Sequence, residues 1–139
     1  MAEIIIPYAL TTRQRIKDRL AISVTTFDTL FDRLISAMTD LIEGECNRRR
    51  FKKTTYINEV YSVHGAHPRH VFLKQVPVGL LISLQYRAGT PANPVWTNFL
   101  VDEFELFEDG ESGIIRIYSS IPSGVNTVRV TYEAGYLID

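Results

Sequence analysis

Two hydrophobic periodicities divide the chain into a helical part and a β part. Between residues 11 and 50 apolar residues recur every three or four positions, which predicts helices. Between 54 and 136 they mostly alternate with polar residues, which predicts strands. We therefore expect a single α+β domain over 1–139. Its N-terminal helix pair is predicted to include one long helix packed on a small antiparallel β-sheet or sandwich.

The helical part is expected to hold a short helix followed by a long one. The short helix is predicted to start with Thr11 or Thr12 as its cap, because a threonine hydroxyl accepts a hydrogen bond from a first-turn amide. The long helix is predicted from Thr25, which with Asp28 resembles a capping box, to Asn47. It carries an apolar stripe that we interpret as a core-facing surface. The stripe consists of Phe27, Leu30, Phe31, Leu34, Ile35, Met38, Leu41 and Ile42.

The β part is predicted to contain six or so short antiparallel strands. They are expected at 54–63, 70–75, 80–86, 104–107, 114–118 and 127–133. Pro77 and Gly79 interrupt the pattern, residues 88–94 read as a loop, and Asp109-Gly110 reads as a hairpin turn. In the last strand Val128, Val130 and Tyr132 are expected to share one face, since side chains alternate along a strand.

Composition and charge exclude several classes of protein. The chain is 45% hydrophobic with a net charge of −1, which excludes intrinsic disorder and a strongly basic nucleic-acid-binding domain. Its one cysteine, Cys46, cannot form an internal disulfide, which is typical of a reducing interior such as bacterial cytoplasm. No apolar run is long enough to span a bilayer. The apolar triplet at residues 4–6 lacks a preceding basic region, so neither a signal peptide nor a membrane partner is expected.

The sequence offers little support for catalysis or for a bound metal. His64, His67 and His70 are three residues apart, but Gly65 and Pro68 place them in a turn, where that spacing does not gather ligands. Nucleophile-elbow, phosphate-loop and dinucleotide-binding motifs are absent from the sequence. We therefore expect no enzyme activity, no catalytic residues, no metal and no cofactor.

Charge is concentrated in two segments of opposite sign. The basic segment, residues 48–53, consists of Arg48, Arg49, Arg50, Lys52 and Lys53 around Phe51. The acidic stretch, residues 102–111, carries six acids among ten residues and includes Glu105, Glu108 and Asp109. Both segments are candidate partner contacts, and a solvated helix end is an equally reasonable interpretation of the basic one.

Four short sequences along the chain are distinctive. They are Cys-Asn-Arg-Arg-Arg-Phe at 46–51, Leu-Lys-Gln-Val-Pro-Val at 73–78, Ser-Gly-Ile-Ile-Arg-Ile at 112–117 and Val-Arg-Val-Thr-Tyr-Glu-Ala-Gly-Tyr at 128–136. Together they resemble the head–tail connector proteins, also called head-completion adaptors, of long-tailed bacteriophages. The resemblance covers nearly the whole chain. In the family the chain usually continues into a further helix that contributes to portal docking, whereas this sequence stops at Asp139.

The resemblance implies a structural protein of the virion, made in the host cytoplasm and located at the head–tail joint. Such proteins form a ring, commonly dodecameric, beneath the portal protein, and they seat the next neck, stopper or tail-completion protein. The genomic double-stranded DNA passes through the lumen of the ring. The basic segment and the acidic stretch then become candidate contacts with a neighbouring subunit, the portal or DNA. Because ring interfaces join two different surfaces, these segments are expected to meet across a subunit boundary.

A second function remains open from the residues alone. The basic segment, together with Phe51, Tyr56 and Tyr61 as stacking surfaces, fits a small nucleic-acid-binding β module. A salt-dependent interaction with short oligonucleotides is the observation that favours this alternative.

Overall fold

The computed structural model describes residues 6–47, 50–64, 69–121 and 123–138. The chain forms two compact units, which are described separately below. The helical unit comprises Met1–Lys53 with Tyr136–Asp139, and the β unit comprises Thr54–Gly135. The division at Lys53 agrees with the change of hydrophobic period in the sequence. None of the described helices is long and apolar enough to span a membrane.

The first helix, α1 (Arg13–Leu20), forms as its sequence predicts. The Thr12 hydroxyl caps it by accepting a hydrogen bond from the amide of Arg15 at 3.3 Å. The helix ends where Ala21 adopts a left-handed conformation, with φ of 54°. The predicted start of α1 is confirmed.

The second helix, α2 (Asp28–Glu45), lacks the predicted capping box. Phe27 occupies the cap position, and its side chain makes no capping hydrogen bond. The Asp28 carboxylate instead binds α1, at 2.8 Å from Lys17 Nζ and 3.0 Å from Arg13 Nη1. The hydrogen bond from Lys17, reinforced by Arg13, lowers the pKa of the Asp28 carboxyl although its partial burial opposes that shift.

The predicted burial of the apolar stripe is wrong for most of its residues. Ile35 is buried and Phe31 is half-buried, but the other six side chains of the stripe are exposed. The prediction failed because α2 turns a neighbouring polar face toward the interior of its unit. The detail of one long helix from 25 to 47 is not matched, and α2 spans 18 residues from Asp28 to Glu45.

Seven strands of the described chain form two antiparallel sheets, which confirms the mixed α+β class. The four-stranded sheet has the order β1-β7-β3-β4, with β1 (Thr54–Val63), β7 (Gly124–Ala134), β3 (Val78–Gly89) and β4 (Pro94–Asn98). The three-stranded sheet has the order β2-β6-β5, with β2 (Arg69–Phe72), β6 (Ile114–Ile117) and β5 (Phe104–Leu106). Short 3₁₀ helices, Val101–Glu103 and Phe107–Gly110, flank β5.

The core of the β unit is built on the strand that runs through the middle of the larger sheet. Val128, Val130 and Tyr132 of β7 are fully buried, as their alternation predicts. Ile115 and Ile117 of the smaller sheet are also fully buried and belong to the same apolar cluster. The two sheets therefore share one core, as in a small sandwich.

Candidate interaction surface

Helix α2 has the reverse of the usual amphipathic arrangement. Its buried residues are Asp32, Ile35, Thr39 and Glu43, each no more than 3% exposed, so three of the four are polar. At 3.6 residues per turn these positions form one face, about a third of a turn from the apolar stripe. The inward side of α2 is mostly polar, and one of its exposed sides is apolar, beside exposed polar positions such as Arg33 and Asp40.

The polar face is held inward by bonds to α1 and to the chain segments before α1 and after α2. Thr39 Oγ1 accepts a hydrogen bond from the amide of Leu10 at 3.2 Å. Glu43 accepts two, from Arg50 Nη1 and from the amide of Phe51, each at 3.0 Å. Asp32 Oδ1 lies 3.1 Å from Arg13 Nε, as an ion pair rather than an aligned hydrogen bond. Because buried polar groups need such partners, these bonds fix the rotation of α2.

Glu43→Ala is expected to lower the free energy of unfolding by about 1–3 kcal/mol. The substitution leaves the amide of Phe51 and the guanidinium of Arg50 without the buried carboxylate that accepts from them. Glu45→Ala, at an exposed position of the same helix, serves as the control. Urea unfolding measures both variants, and equal stabilities would contradict the role given to Glu43.

The exposed part of the stripe forms a continuous apolar surface, here called the α2 apolar face. It consists of Phe27, Leu30, Leu34, Met38, Leu41 and Ile42, whose exposed fractions lie between 39% and 54%. The face is about 22 Å long, at a rise of about 1.5 Å per residue. Contiguous apolar surface of this kind, unlike scattered single residues, is a candidate interaction surface.

The described residues of the basic segment, 50–53, form bonds within the helical unit. Arg48 and Arg49 lie outside the described residues. The guanidinium of Arg50 lies 3.5 Å from the ring centroid of Tyr8 and binds Glu43. The amide of Lys53 donates to the carbonyl of Tyr136, which also forms a β-bridge with Lys52. Arg50 thus stabilises its own unit.

The acidic stretch lies in the β unit, along β5 and the two 3₁₀ helices. Glu105 stands opposite Arg116 of β6, and its carboxylate accepts from the Tyr118 hydroxyl at 2.5 Å. Glu108 and Asp109 are exposed in a tight turn, with φ values of 49° and 50°. Glu108 and Asp109 are therefore better placed than Glu105 to contact a partner.

The tyrosines proposed as nucleotide-stacking surfaces are buried. Tyr56 is 7% exposed and Tyr61 is 8% exposed. The Tyr56 ring stacks on Tyr132 with centroids 5.3 Å apart. Phe51 is half-buried. Stacking of nucleotide bases on Tyr56 and Tyr61 is therefore excluded by their position in the core.

A hydrogen-bonded cluster of two tyrosines and a glutamate was not anticipated from the sequence. Glu59 Oε2 accepts from the hydroxyls of Tyr61 and Tyr132, at 2.7 Å and 2.9 Å. The two hydroxyls lie 3.3 Å apart. Burial raises the pKa of Tyr61 to about 12, and burial also raises the pKa of Tyr132. Both phenols therefore stay protonated at neutral pH and act as donors that join β1 to β7.

The free energy of unfolding is expected to fall as pH rises from 10 through about 12. The pKa of Tyr61 is 10.0 unperturbed and about 12 in the fold, so the unfolded chain loses this proton first. The stabilisation is complete below pH 10 and is lost as the pH rises from 10 to about 12. Urea unfolding across this range tests the effect, and Tyr61→Phe is expected to make the fall shallower. An unchanged slope in that variant would contradict the assignment.

The predicted absence of a metal site remains a prediction for the whole histidine group. His64 is exposed at the end of β1, and His67 lies outside the described residues. His70 of β2 accepts a hydrogen bond from Arg116 Nε at 3.4 Å. Within 6–47, 50–64, 69–121 and 123–138, no group of three or more His, Cys, Asp or Glu side chains is arranged to hold a metal ion.

No protein-family model matches the chain, and a search of the curated proteins returns no significant match.

Proposed function

We propose that this chain is a structural subunit of a bacteriophage virion, a head–tail connector that forms a ring beneath the portal. The ring joins the DNA-filled head to the neck or tail, and the genome passes through its lumen. The resemblance of the sequence to connector proteins carries this proposal, and the α2 apolar face supports it as a surface for assembly. The function is one of assembly, and it uses surfaces rather than a catalytic centre.

The α2 apolar face supports assembly because the helix cannot bury it by rotating. The opposite rotation would expose Thr39 and Glu43 and break their bonds to Leu10, Arg50 and Phe51. The apolar side chains therefore remain on the outside of the helical unit. Burial of apolar area is the main favourable term in protein association, so a second molecule gains by covering this face. In a closed ring the neighbouring subunit supplies a different surface for that purpose.

The partners of this proposal are further copies of the chain, the portal protein and the next neck, stopper or tail-completion protein. Charge complementarity between the basic segment and the acidic stretch aligns neighbouring subunits at each boundary of the ring. The site of action is the head–tail joint of the virion, after synthesis in the host cytoplasm.

Reversal of single charges tests that registration. Arg49→Glu is expected to weaken assembly, and adding Glu108→Lys in the same chain is expected to restore part of it. Each exposed pair contributes only about 0.2–1 kcal/mol, but a ring repeats the pair at every boundary. Sedimentation velocity measures the assembled fraction. If the double reversal assembles no better than Arg49→Glu alone, the two segments do not meet.

Immunogold electron microscopy tests the proposed function. Antibodies raised against the full chain are expected to label the head–tail joint of phage particles whose genome encodes it. Labelling elsewhere on the particle, or none, would contradict the proposal.

The nucleic-acid alternative is tested with the same full chain and a short fluorescent oligonucleotide. Fluorescence anisotropy is expected to show no salt-dependent binding at moderate ionic strength, whereas such binding favours the alternative.

A further inference from the structure

The four-stranded sheet carries a cluster of side chains around Trp96, the only tryptophan of the chain, on the face opposite to the core. Gln85 of β3 is the register partner of both Arg129 of β7 and Asn98 of β4, so these three side chains share one face. Arg87 and Trp96 are the next register pair of β3 and β4 on that face. The residues that alternate with Arg129 along β7 are buried in the core, whereas the cluster is half-buried or exposed. We call these five residues the sheet patch.

The guanidinium of Arg129 is held in a fixed position within the sheet patch. Its Nε donates to Gln85 Oε1, and Gln85 Nε2 donates in turn to Asn98 Oδ1 at 2.7 Å. Its Cζ lies 4.6 Å from the centroid of the Trp96 ring. These contacts leave the two terminal nitrogens, which together form the fork that binds a carboxylate. Among the residues that the structure describes, neither Arg129 nor Arg87 has an ion-pair partner.

The acidic turn, residues 108–111, offers carboxylates that also lack partners. Glu108, Asp109 and Glu111 are exposed. In the described parts of the chain, none of these three carboxylates forms an ion pair. Gly110 packs so closely on Val78 that a Cβ atom at position 110 falls 2.2 Å from the Val78 carbonyl oxygen. The turn is therefore fixed against the start of β3 and presents its carboxylates to solvent.

The acidic turn and the sheet patch lie at opposite ends of β3. Gly110 contacts Val78, the first residue of the strand, and Arg87 lies nine positions further along it. At the rise of a β-strand this separation is about 25–30 Å. An ion pair requires nitrogen and oxygen within about 4 Å, so the turn and the patch of one chain do not meet. Opposite charges at the two ends of one unit suit a head-to-tail contact between copies, in which two different surfaces meet.

We propose that the acidic turn of one copy of the chain binds the sheet patch of the next copy. The carboxylates of the turn pair with Arg87 and Arg129, and the turn covers the Trp96 ring. Tryptophan and arginine are enriched at the centres of protein interfaces, and a guanidinium that is already held in place loses less entropy on binding. The proposal rests on the proposed function in requiring a ring of identical subunits. It adds a second basic surface that the acidic stretch contacts, besides the basic segment.

Acrylamide quenching of fluorescence tests the proposal, because Trp96 is the only tryptophan and reports on the sheet patch alone. Quenching is measured on the full chain over the concentrations at which sedimentation velocity shows assembly. The quenching constant is expected to fall about twofold or more as the chain assembles, since a packed interface excludes the quencher. If Trp96 is quenched equally in single chains and in rings, the proposal is wrong, while the rings leave the connector function standing.

Charge reversal in the acidic turn gives a second test. Glu108→Lys is expected to reduce assembly and to keep Trp96 open to acrylamide, although the turn lies at the other end of β3 from Trp96. The control is Glu45→Lys, which makes the same charge change at an exposed position of α2 and is expected to assemble as the parent chain does. Equal assembly and equal quenching of the two variants would overturn the proposal.

Paired reversals identify which basic surface the turn contacts. Arg129→Glu is expected to weaken association about tenfold, because it places like charges together, and adding Glu108→Lys in the same chain is expected to restore part of it. A double variant that assembles no better than Arg129→Glu alone contradicts the proposal. If Glu108→Lys restores Arg49→Glu but not Arg129→Glu, the turn contacts the basic segment and the connector function stands.

A short DNA duplex tests the other anion that a guanidinium fork binds. It is added to the full chain at a concentration too low for assembly, and Trp96 is expected to stay as open to acrylamide as before. Protection of Trp96 by the duplex, lost at higher salt, would show that the sheet patch binds phosphate groups and would overturn the proposal.

Discussion

Replacing Leu34 and Met38 together with glutamate is expected to abolish self-association while the chain stays folded. Both side chains are about half exposed, so the charges are solvated in the single chain and its stability changes by about 0.5 kcal/mol or less. In the assembly that we propose, the same positions are buried against a neighbour. Loss of a side chain at the centre of an interface weakens the free energy of association by about 2 kcal/mol or more. This corresponds to about thirtyfold in affinity for each position.

Sedimentation equilibrium over a range of protein concentrations measures this effect on the full chain. The matched control is Thr29→Glu with Gly44→Glu, which adds the same two charges to exposed positions of α2 away from the apolar face. The control is expected to associate as the parent chain does. If both double variants lose association equally, the cause is the charge of the helix and the α2 apolar face is not the interface.

Gly110→Ala is expected to lower the free energy of unfolding by about 3 kcal/mol or more. Gly110 ends the 3₁₀ helix after β5 with φ of 93°, a conformation that side chains rarely adopt. A Cβ atom here falls 2.2 Å from the carbonyl oxygen of Val78 and 3.0 Å from its Cβ. Since Val78 is a core residue of β3, the backbone has to move to relieve the contact.

Gly44→Ala is the control for that prediction. Gly44 lies within α2, and a Cβ atom there meets nothing within 4 Å. Alanine is the better helix former, so this variant is expected to gain up to about 1 kcal/mol. Urea unfolding of both variants gives the comparison. A Gly110→Ala chain as stable as the parent would contradict the close packing of the acidic turn on β3.

Local sequence signals were sufficient for the elements whose structure depends on neighbours in the chain. The cap of α1 at Thr12 and the bounds of β1 follow from side-chain chemistry and alternation. The shared buried face of Val128, Val130 and Tyr132 follows from the two-residue period of a strand. Strand β4 was missed because Pro94 and the preceding asparagine resemble a loop, whereas its pairing with β3 is decided by distant residues.

The candidate surface shows where sequence periodicity stops being informative. The three- and four-residue spacing identifies which side chains of α2 share a face, but it does not determine whether that face is buried. The rotation of α2 is decided by bonds from Leu10, Arg13 and Phe51 to Thr39, Asp32 and Glu43. These bonds come from outside α2, so the periodicity of the helix does not predict them. The charge of the basic segment could be predicted from the sequence, but the bond of Arg50 to Glu43 within the helical unit could not.

Electron cryo-microscopy of the head–tail joint, in phage particles whose genome encodes the chain, is the most direct test of the central claim. We expect a closed ring of this chain beneath the portal, with Leu30, Leu34 and Met38 buried against the neighbouring subunit or the portal. A joint that lacks the chain would contradict the account, and so would a ring in which these three side chains remain exposed to solvent.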